Sequence, residues 1–369
     1  MPGALDADVV IAGAGPAGAA AALTLRRYTN LSVTLLERSS FDEPRVGELA
    51  SAGLSPLWTY LGLDADALLR GHVAARSPLA HWGASSMDFT GFVAAATHGW
   101  ALDRRRFDRD LARAAQRAGA RLVERAVVRE VDGAPGAWSV RVERDGRSAQ
   151  CAARVIVDAT GPSARIARRI GAAFVDDDSL YAVMARFEDA GVALPGLIVE
   201  PAAEGWWYAV CVPDDVLVVT FLTDRANLRA LHAAEAPAWF ELLARTTHLR
   251  AIVPDRRPWS LDALFVPSRA AASAAGVGWF AAGDAALAAD PLASFGIGFA
   301  LWSGAHVARA AAGWLRGDPR GIDAYARGVA TIFARYRARR REVYARERRW
   351  SRAPFWRSRI AGGKAEQRV

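Results

Sequence analysis

Six residues near the N-terminus have the types and the spacing of a phosphate-binding turn. Gly13-Ala14-Gly15-Pro16-Ala17-Gly18 is a G-x-G-x-x-G sequence between an apolar run, Val9–Ala12, and a stretch rich in Ala and Leu that continues to Tyr28. In a strand–turn–helix unit the first glycine allows a tight turn, the second lets backbone amides approach a diphosphate, and the third lets the helix pack against the strand. The free N–H groups at the helix N-terminus then face the diphosphate.

A carboxylate follows this unit at an informative distance. A second predicted strand, Ser32–Leu36, ends at Glu37, which lies 19 residues after Gly18. An acid near this position accepts hydrogen bonds from ribose hydroxyls in dinucleotide-binding folds. The sequence therefore predicts a dinucleotide site, but this fingerprint alone does not separate NAD from FAD.

Two later segments favour FAD. Gly283-Asp284 follows a predicted strand, Val277–Ala281, and Asp290-Pro291 is followed by Gly296-Ile297-Gly298 at the start of a predicted helix. Here the sequence resembles the flavoprotein monooxygenase superfamily, which includes the flavin-dependent tryptophan halogenases. The resemblance implies that Asp284 binds the ribityl chain of FAD, and that Pro291, Gly296 and Ile297 line the flavin ring. A helix N-terminus there would stabilise the anionic reduced flavin.

The resemblance covers nearly the whole chain. Arg45-Val46-Gly47-Glu48 and the segment His98–Asp108 look like two further motifs of the superfamily. Arg346–Arg359 is similar to flavoproteins that modify tryptophan during maturation of cysteine tryptophylquinone enzymes. Together these patterns predict a set of FAD-contacting residues: Gly13, Gly15, Pro16, Ala17, Gly18, Glu37, Arg38, Arg45, Arg104, Val128, Asp158, Gly161, Asp284, Pro291, Gly296 and Ile297.

The halogenase pattern fails at three places. The chain has no lysine before Lys364, whereas tryptophan halogenases need one for the hypohalous acid. Arginine is no substitute, because it stays protonated and has a different geometry. Ala293 stands where halogenases have a glutamate, and the stretch 205–213 departs from their W-x-W-x-I-P signature. These departures argue against halogenation.

The predicted fold class is α/β, with a discontinuous FAD-binding Rossmann-like domain of the GR2 type. We assign it residues 1–75, 100–170 and 270–325. An inserted β-sheet substrate domain takes residues 76–99 and 171–269, and a basic helical tail takes 326–369. Strands are predicted at Tyr181–Phe187, Trp206–Val212 and Val216–Leu222, with a turn at Pro213-Asp214-Asp215. An aromatic wall for the substrate is predicted from Trp82, Phe89, Trp206, Trp207, Tyr208 and Phe221, with core packing as the alternative for each ring.

The chemistry implied by the resemblance is hydroxylation of an electron-rich aromatic, indole-like or tryptophan-like, through a flavin C4a-hydroperoxide. The substrate could be borne by a peptide or protein. The candidate catalytic residues are Glu48, His98 and Trp207, although a structural role is an alternative for His98. Two other functions stay open: an FAD-dependent dehydrogenase or oxidase of a biosynthetic small molecule, and a flavin-bound accessory protein that docks a polypeptide. No second G-x-G-x-x-G is present, so electrons are expected from transiently bound NAD(P)H, from a reductase partner or from the substrate.

Composition narrows the class of protein. With 369 residues, 52% hydrophobic and 23% charged, the chain is predicted to be globular rather than disordered. Two cysteines cannot form a disulfide framework, and no signal peptide or membrane span is predicted, so a cytoplasmic location is expected. No metal site is predicted.

Residues 335–359 hold 11 arginines and two glutamates, against a net charge of +8 for the whole chain. Because the excess is confined to one segment, we predict a helix that docks on a domain or is solvated rather than a nucleic-acid site.

Overall fold

The chain folds as a mixed α/β protein built on three β-sheets. A computed structural model describes residues 6–76, 79–83 and 98–360. The predicted α/β class, with its parallel sheet and helical C-terminal segment, is confirmed. The helices are α1 (Pro16–Tyr28), α2 (Ser55–Leu61), α3 (Ala65–Leu69), α4 (Arg104–Arg117), α5 (Arg165–Arg169), α6 (Arg225–Ala230), α7 (Ala236–Ala244), α8 (Gly296–Leu315), α9 (Arg320–Arg346) and α10 (Pro354–Ile360).

The first sheet has a parallel centre. Its strands are β1 (Ala7–Ala12), β2 (Val33–Leu36), β7 (Arg121–Val123), β8 (Ala126–Ala134), β9 (Ala137–Arg144), β10 (Arg147–Asp158), β16 (Ala275–Gly276) and β17 (Trp279–Ala281). The order is β16-β17-β10-β1-β2-β7, with the antiparallel hairpin β8-β9 attached to β10. Val9 and Ile11 pack on one face of β1, and Val10 and Ala12 on the other. Burial on both faces explains why this strand is a continuous apolar run.

Helices α1 and α8 pack closely over one face of this sheet. A Cβ added at Gly304 would lie 2.1 Å from the carbonyl oxygen of Ala17, so only glycine allows this approach. Ala19 and Ala20, in the next part of α1, are fully buried. The close contact positions both helices relative to the sheet and to each other.

The second sheet is antiparallel except at one edge. Its strands are β5 (Leu79–Ala80), β11 (Phe174–Phe187), β12 (Ile198–Ala202), β13 (Gly205–Val212), β14 (Val216–Thr223), β15 (Ser260–Ala271) and β18 (Leu287–Ala288), in the order β18-β15-β11-β14-β13-β12-β5. The predicted turn joins β13 to β14, since Val212 pairs with Val216. The three strands predicted from the sequence lie within β11, β13 and β14.

A small third sheet joins residues that are far apart in sequence. It has the order β3 (Leu49–Ser51), β6 (Gly99–Ala101) and β4 (Val73–Ala75), all antiparallel. The strand pairing places Glu48, just before β3, next to the segment that follows β6. The Leu102 amide accordingly donates a hydrogen bond to the Glu48 carbonyl, 2.7 Å between N and O.

The C-terminal helices dock on the second sheet. The Arg340 guanidinium, 4% exposed, lies 2.5 Å from a carboxylate oxygen of Asp178 and 3.0 Å from Asp177. Arg359 of α10 donates two hydrogen bonds to Asp178, of 2.8 and 3.0 Å. These two arginines keep the pKa of Asp178 below its ordinary value although burial acts in the opposite direction. The segment is therefore a pair of docked helices. Docking on a domain was one of the two alternatives that the sequence analysis left open.

We expect Asp178→Ala to lower the free energy of unfolding by about 3 kcal/mol, because it removes the carboxylate shared by two buried guanidinium groups and leaves Arg340 with Asp177 alone and Arg359 with Asp224 at 3.9 Å. Because the folded-state pKa is lowered, this stabilisation is present above the unfolded-state pKa and is lost as the pH falls through the folded-state value. Urea unfolding at neutral and acid pH measures both effects. Glu143→Ala is the matched control: Glu143 forms an exposed ion pair with Arg129 on the β8-β9 hairpin, for which about 0–1 kcal/mol is expected. Equal losses in the two variants would contradict the prediction.

Candidate cofactor and substrate site

The glycine turn between β1 and α1 is closely packed at its first and third glycines. Gly13 has φ of +102°, and a Cβ there would lie 2.1 Å from the Ala159 carbonyl oxygen. A Cβ on Gly18 would lie 1.8 Å from the Gly13 carbonyl oxygen. Both positions therefore require glycine for the fold itself, whatever the turn binds.

The second glycine is different. Gly15 precedes the first residue of α1 in an ordinary extended conformation, and the helix N-terminus has no side-chain cap. The nearest atoms to an added Cβ are Asp108 Oδ2 at 3.8 Å and Arg45 Nη1 at 3.9 Å. Space therefore remains beside the α1 N–H groups, as a bound diphosphate requires. Pro16 begins the helix without an N–H of its own. Ala17 packs beneath the turn, and its Cβ lies 2.9 Å from the position that a Cβ added at Gly283 would take.

Glu37 lies at the carboxyl end of β2, beside this turn. Its Oε2 accepts a hydrogen bond of 2.9 Å from the Ala14 amide, while its Oε1 accepts from Ser39 and lies 3.0 Å from Arg45. The carboxylate is thus held next to the glycine turn, where the sequence analysis expects ribose hydroxyls. Arg38 follows it and is exposed.

A buried aspartate that the sequence analysis did not select organises the predicted arginines. Asp108 on α4 is 0% exposed and accepts hydrogen bonds from Arg45 at 2.9 Å and from Arg104 at 2.9 and 3.0 Å. Arg104 also donates to the carbonyl oxygens of Val46 and Gly47. In the sequence, Asp108 is marked only by its place at the end of the motif His98–Asp108. A residue whose contacts are all with other protein groups has no further sequence pattern that would identify it.

Asp284 and the start of α8 approach from the other side of the fold. Asp284 lies in a single 3₁₀ turn, Gly283–Ala285, where burial raises the pKa of its carboxyl group to about 6 and Arg104 acts in the opposite direction. A second 3₁₀ turn, Pro291–Ala293, leads to α8, whose N-terminus no side chain caps. No heavy atom lies within 4 Å of a Cβ added at Gly296, whereas Ile297 is buried.

The 3₁₀ turn before α8 is held in place by side chains of α9. The Asp290 carboxylate accepts hydrogen bonds from Tyr344 Oη at 2.7 Å and from the Leu292 amide at 2.9 Å. The Asp290 amide donates to Tyr336 Oη at 2.9 Å. Two tyrosines of α9 therefore hold both ends of the residue that precedes Pro291.

Three further residues of the predicted FAD-contacting set lie at the end of β10, just after it and on β8. Both carboxylate oxygens of Asp158 accept hydrogen bonds from the chain, one from Thr160 and the other from the Ile166 and Ala167 amides at 2.9 and 2.7 Å. The carboxylate thus shapes the turn after β10 and the start of α5, and its contact with FAD stays a prediction. Val128 is buried on β8 in an apolar cluster, while a Cβ added at Gly161 (φ +73°) would have no heavy atom within 4 Å.

Glu48, just before β3, is another buried carboxyl group of the predicted site. It is 6% exposed, its Oε2 accepts a hydrogen bond of 3.3 Å from Tyr208 Oη, and its Oε1 has no partner among the described residues. Burial raises the pKa of Glu48, against the smaller effects of Arg104, Arg186 and the Tyr208 hydrogen bond. Burial and the Glu48 charge raise the pKa of Tyr208. A buried carboxyl group with a raised pKa can serve as a proton acceptor or donor to a group bound beside it.

The aromatic residues of β13 point to opposite faces of the second sheet. Trp206 and Tyr208 pack on the face towards Glu48 and α9, and Trp206 Nε1 donates to Tyr344 Oη at 3.1 Å. Trp207 is fully buried on the other face, stacked on Phe221 and against Trp239 of α7. Its predicted contact with substrate is therefore corrected to a packing role, because successive side chains alternate across a strand.

The remaining site predictions concern the segment of the sequence before β6. His98 is exposed, and its carbonyl oxygen accepts a hydrogen bond from the Ala52 amide, so its backbone rather than its ring has the described contact. Trp82 lies on the Trp206 face, with its ring 5.6 Å from that of Tyr344. Phe89 lies outside the described residues.

Comparison with known proteins agrees with this geometry. Residues 8–194 match the FAD dependent oxidoreductase family. A protein of Marinomonas mediterranea named "Putative FAD-dependent oxidoreductase LodB" is 30% identical to this chain. The match covers 96% of this chain and 97% of the relative. The chain belongs to the FAD-dependent oxidoreductase family.

Two solved structures resemble this FAD-dependent oxidoreductase over most of its length. The flavin-dependent halogenase CmlS has a TM-score of 0.83 and 25% identity, over 96% of this chain and 67% of its own. The peptidyl tryptophan dihydroxylase QhpG has a TM-score of 0.79 and 26% identity, over 99% of this chain and 80% of its own. The predicted membership in the superfamily of flavin-dependent halogenases and monooxygenases is thereby confirmed.

The residues present fit FAD. The space beside Gly15 and the N-terminus of α1 suit the diphosphate, Glu37 suits the ribose, and Asp284 with the N-terminus of α8 suits the ribityl chain and the flavin ring. No helix within 6–76, 79–83 or 98–360 combines the length and apolarity needed to span a bilayer.

The raised pKa of Asp284 gives a stability prediction for the FAD-free oxidoreductase. With a folded-state pKa of about 6 against an ordinary 3.8, the folded chain binds more protons than the unfolded chain between these values. Stability should therefore fall as the pH rises from about 4 to about 6. Asp284→Asn removes this slope, so its melting temperature should exceed that of the wild type above pH 6, and the difference should shrink towards pH 4. Asp132→Asn, at an exposed position on β8, is the control, and a pH-independent difference for Asp284→Asn would contradict the assignment.

Proposed function

We propose that this oxidoreductase is an FAD-dependent monooxygenase that hydroxylates a tryptophan, or a similar indole ring, carried by a polypeptide. The observation that carries the proposal is the buried Glu48–Tyr208 pair. It lies between the Arg104 network beside Asp284 and the buried Trp206–Tyr208 face of the second sheet. An aromatic substrate bound beside Tyr208 would have a proton-exchanging group next to it.

The proposed reaction inserts one atom of O₂ into an aromatic C–H bond and reduces the other to water, with two electrons and two protons. Bound reduced FAD would supply the activation of O₂. The residues of the chain would orient the ring, exclude water and manage protons. Glu48 would accept the proton that leaves the hydroxylated ring carbon, and Tyr208, by donating a hydrogen bond, would favour the carboxylate that accepts it.

The comparisons support this substrate class. QhpG is described as acting on peptidyl tryptophan, and its likeness extends over almost all of this chain. Ala293 is buried in the turn before α8, where halogenases have a glutamate, and no described residue is a lysine. Both facts favour oxygenation over halogenation. Electrons would come from NAD(P)H or from a reductase partner.

The test is an isotope experiment. The protein, loaded with FAD and reduced by NAD(P)H with a flavin reductase, is mixed with a tryptophan-containing peptide under ¹⁸O₂, and the peptide is analysed by tandem mass spectrometry. We expect ¹⁸O on the tryptophan. The same peptide with leucine in place of tryptophan and the reaction without the protein are the controls.

Other products would overturn the proposal. A loss of two hydrogens without ¹⁸O would indicate a dehydrogenase or oxidase instead. Stable binding of the peptide without any product, while the reduced FAD is reoxidised at the same rate with and without peptide, would indicate an accessory protein.

A further inference from the structure

We propose that the outer surface of the C-terminal helices docks an acidic polypeptide, and this inference rests on the proposed function, since it names the carrier of the aromatic substrate. We define the basic strap as residues 335–360, which comprise the end of α9, the connection and α10. Seven arginines of the strap are exposed. Arg349 is paired with Glu347, and the other six are Arg335, Arg341, Arg346, Arg348, Arg352 and Arg357.

These six arginines differ from the other five in the strap. The others are paired with a carboxylate, for example Arg340 with Asp178 and Arg349 with Glu347. None of the six has an ion-pair partner within the described ranges, and the acidic residues of the strap are Glu342, itself paired with Arg339, and the buried Glu347. The strap therefore presents positive charge to solvent with almost no compensation.

The inner side of the strap adjoins the proposed substrate face. Trp82 Nε1 donates to the Val343 carbonyl at 2.8 Å, Tyr344 accepts from Trp206, and Trp356 Nε1 donates to the Ala202 carbonyl at 2.8 Å. Trp206 lies on the sheet face that also carries Tyr208, whose hydroxyl donates to Glu48. Arg346 and Arg357 are close in sequence to Tyr344 and Trp356, so they lie about one helix diameter, roughly 10 Å, from the aromatic wall. A polypeptide bound on them could present a residue to the site a few positions along its chain.

The chemistry of the strap identifies the partner. Each guanidinium can donate two parallel hydrogen bonds to one carboxylate, so a surface made of arginine alone suits a segment rich in Asp and Glu. Phosphates bind guanidinium groups as well, which makes nucleic acid the competing ligand. The positive charge is confined to one helix pair, whereas the rest of the chain has little net charge. That restriction, and the nearness of an aromatic site, favour the polypeptide.

The test compares two triple variants. Arg348→Gln, Arg352→Gln and Arg357→Gln together remove three of the six exposed arginines of the strap that have no ion pair in the described structure. Arg117→Gln, Arg147→Gln and Arg169→Gln remove three exposed arginines elsewhere that also have no ion pair in the described structure. The probe is a short fluorescein-labelled peptide with a central tryptophan between runs of glutamate, and its binding to the oxidised FAD-loaded protein is followed by anisotropy. A glutamine counterpart of the peptide and a single-stranded oligonucleotide of equal length are measured in parallel.

We expect the strap variant to bind the glutamate peptide about 10-fold or more weakly than the wild type, and the control variant to bind it within about twofold. Binding should weaken as ionic strength rises. Equal affinities of the two variants, or equal affinity for the glutamine peptide, would overturn the proposal. Tighter binding of the oligonucleotide than of the glutamate peptide would replace it with nucleic-acid binding.

This design distinguishes a failure of the docking proposal from a failure of the proposed oxygenation. Loss of glutamate-peptide affinity in the strap variant, without ¹⁸O in any peptide, supports docking and contradicts the proposed oxygenation. Equal kcat/KM for peptide hydroxylation in the two variants supports oxygenation and contradicts docking.

Discussion

Gly15→Ala is expected to leave the FAD-free fold intact and to weaken FAD binding by two orders of magnitude or more. The added methyl group would meet only ordinary contacts, at 3.8 Å from Asp108 and 3.9 Å from Arg45, and the backbone of Gly15 is extended. The fold can therefore accept it. The methyl group would occupy the space in which the diphosphate approaches the α1 amides, so the loss should fall on the cofactor.

Two measurements separate these effects. The melting temperature of the FAD-free protein reports the fold, and FAD titration followed by quenching of flavin fluorescence reports affinity. Gly18→Ala is the matched comparison, because its methyl group would lie 1.8 Å from the Gly13 carbonyl oxygen and should lower the melting temperature with or without FAD. If Gly15→Ala binds FAD as tightly as the wild type, the turn does not hold the diphosphate.

Glu48→Gln is expected to lower the hydroxylation rate by about 10²–10³-fold, with FAD affinity unchanged. Glutamine keeps the size of the side chain but cannot accept the proton. Since burial raises the pKa of Glu48, the wild-type rate should increase with pH as this group ionises, and the variant should lose that limb of the profile. Its stability at neutral pH should not fall, because the substitution removes a buried charge.

Tyr208→Phe provides a finer test of the same group. The phenol donates a hydrogen bond to the Glu48 carboxylate, which favours the ionised form. Its removal should move the midpoint of the pH–rate profile upwards without abolishing activity. Trp207→Phe, on the opposite face of the same strand, is the control and should leave the midpoint unchanged. An unchanged profile in both Glu48→Gln and Tyr208→Phe would remove Glu48 from the chemistry.

The parts of the fold that depend on local pattern were predictable from the sequence. The turn at Gly13–Gly18 follows from steric demands on the backbone, and the β13-β14 hairpin follows from two apolar runs around Pro213-Asp214-Asp215. In these segments the residue types and their spacing indicate the local structure, although the atom that excludes a side chain at Gly13 belongs to the distant Ala159.

Features that depend on distant contacts were not predictable. The alternation of β13 shows that Trp206 and Trp207 face opposite ways, but which face meets Glu48 depends on where α7 and α9 pack. Asp108 is separated from Arg45 by 63 residues, and the two meet only through tertiary structure. Asp158 resembled a cofactor ligand because it ends a strand of the parallel sheet, yet nearby amides occupy its carboxylate.

The hydrogen bonds that join Asp290 to Tyr336 and Tyr344 have a consequence for biosynthesis. The glycine turn emerges from the ribosome more than 300 residues before Tyr344. A nascent chain can form the early nucleotide-binding unit, but its flavin-side loop stays without its anchor until translation has passed Tyr344. Capture of the cofactor in its final geometry must therefore be a late event in the maturation of this protein.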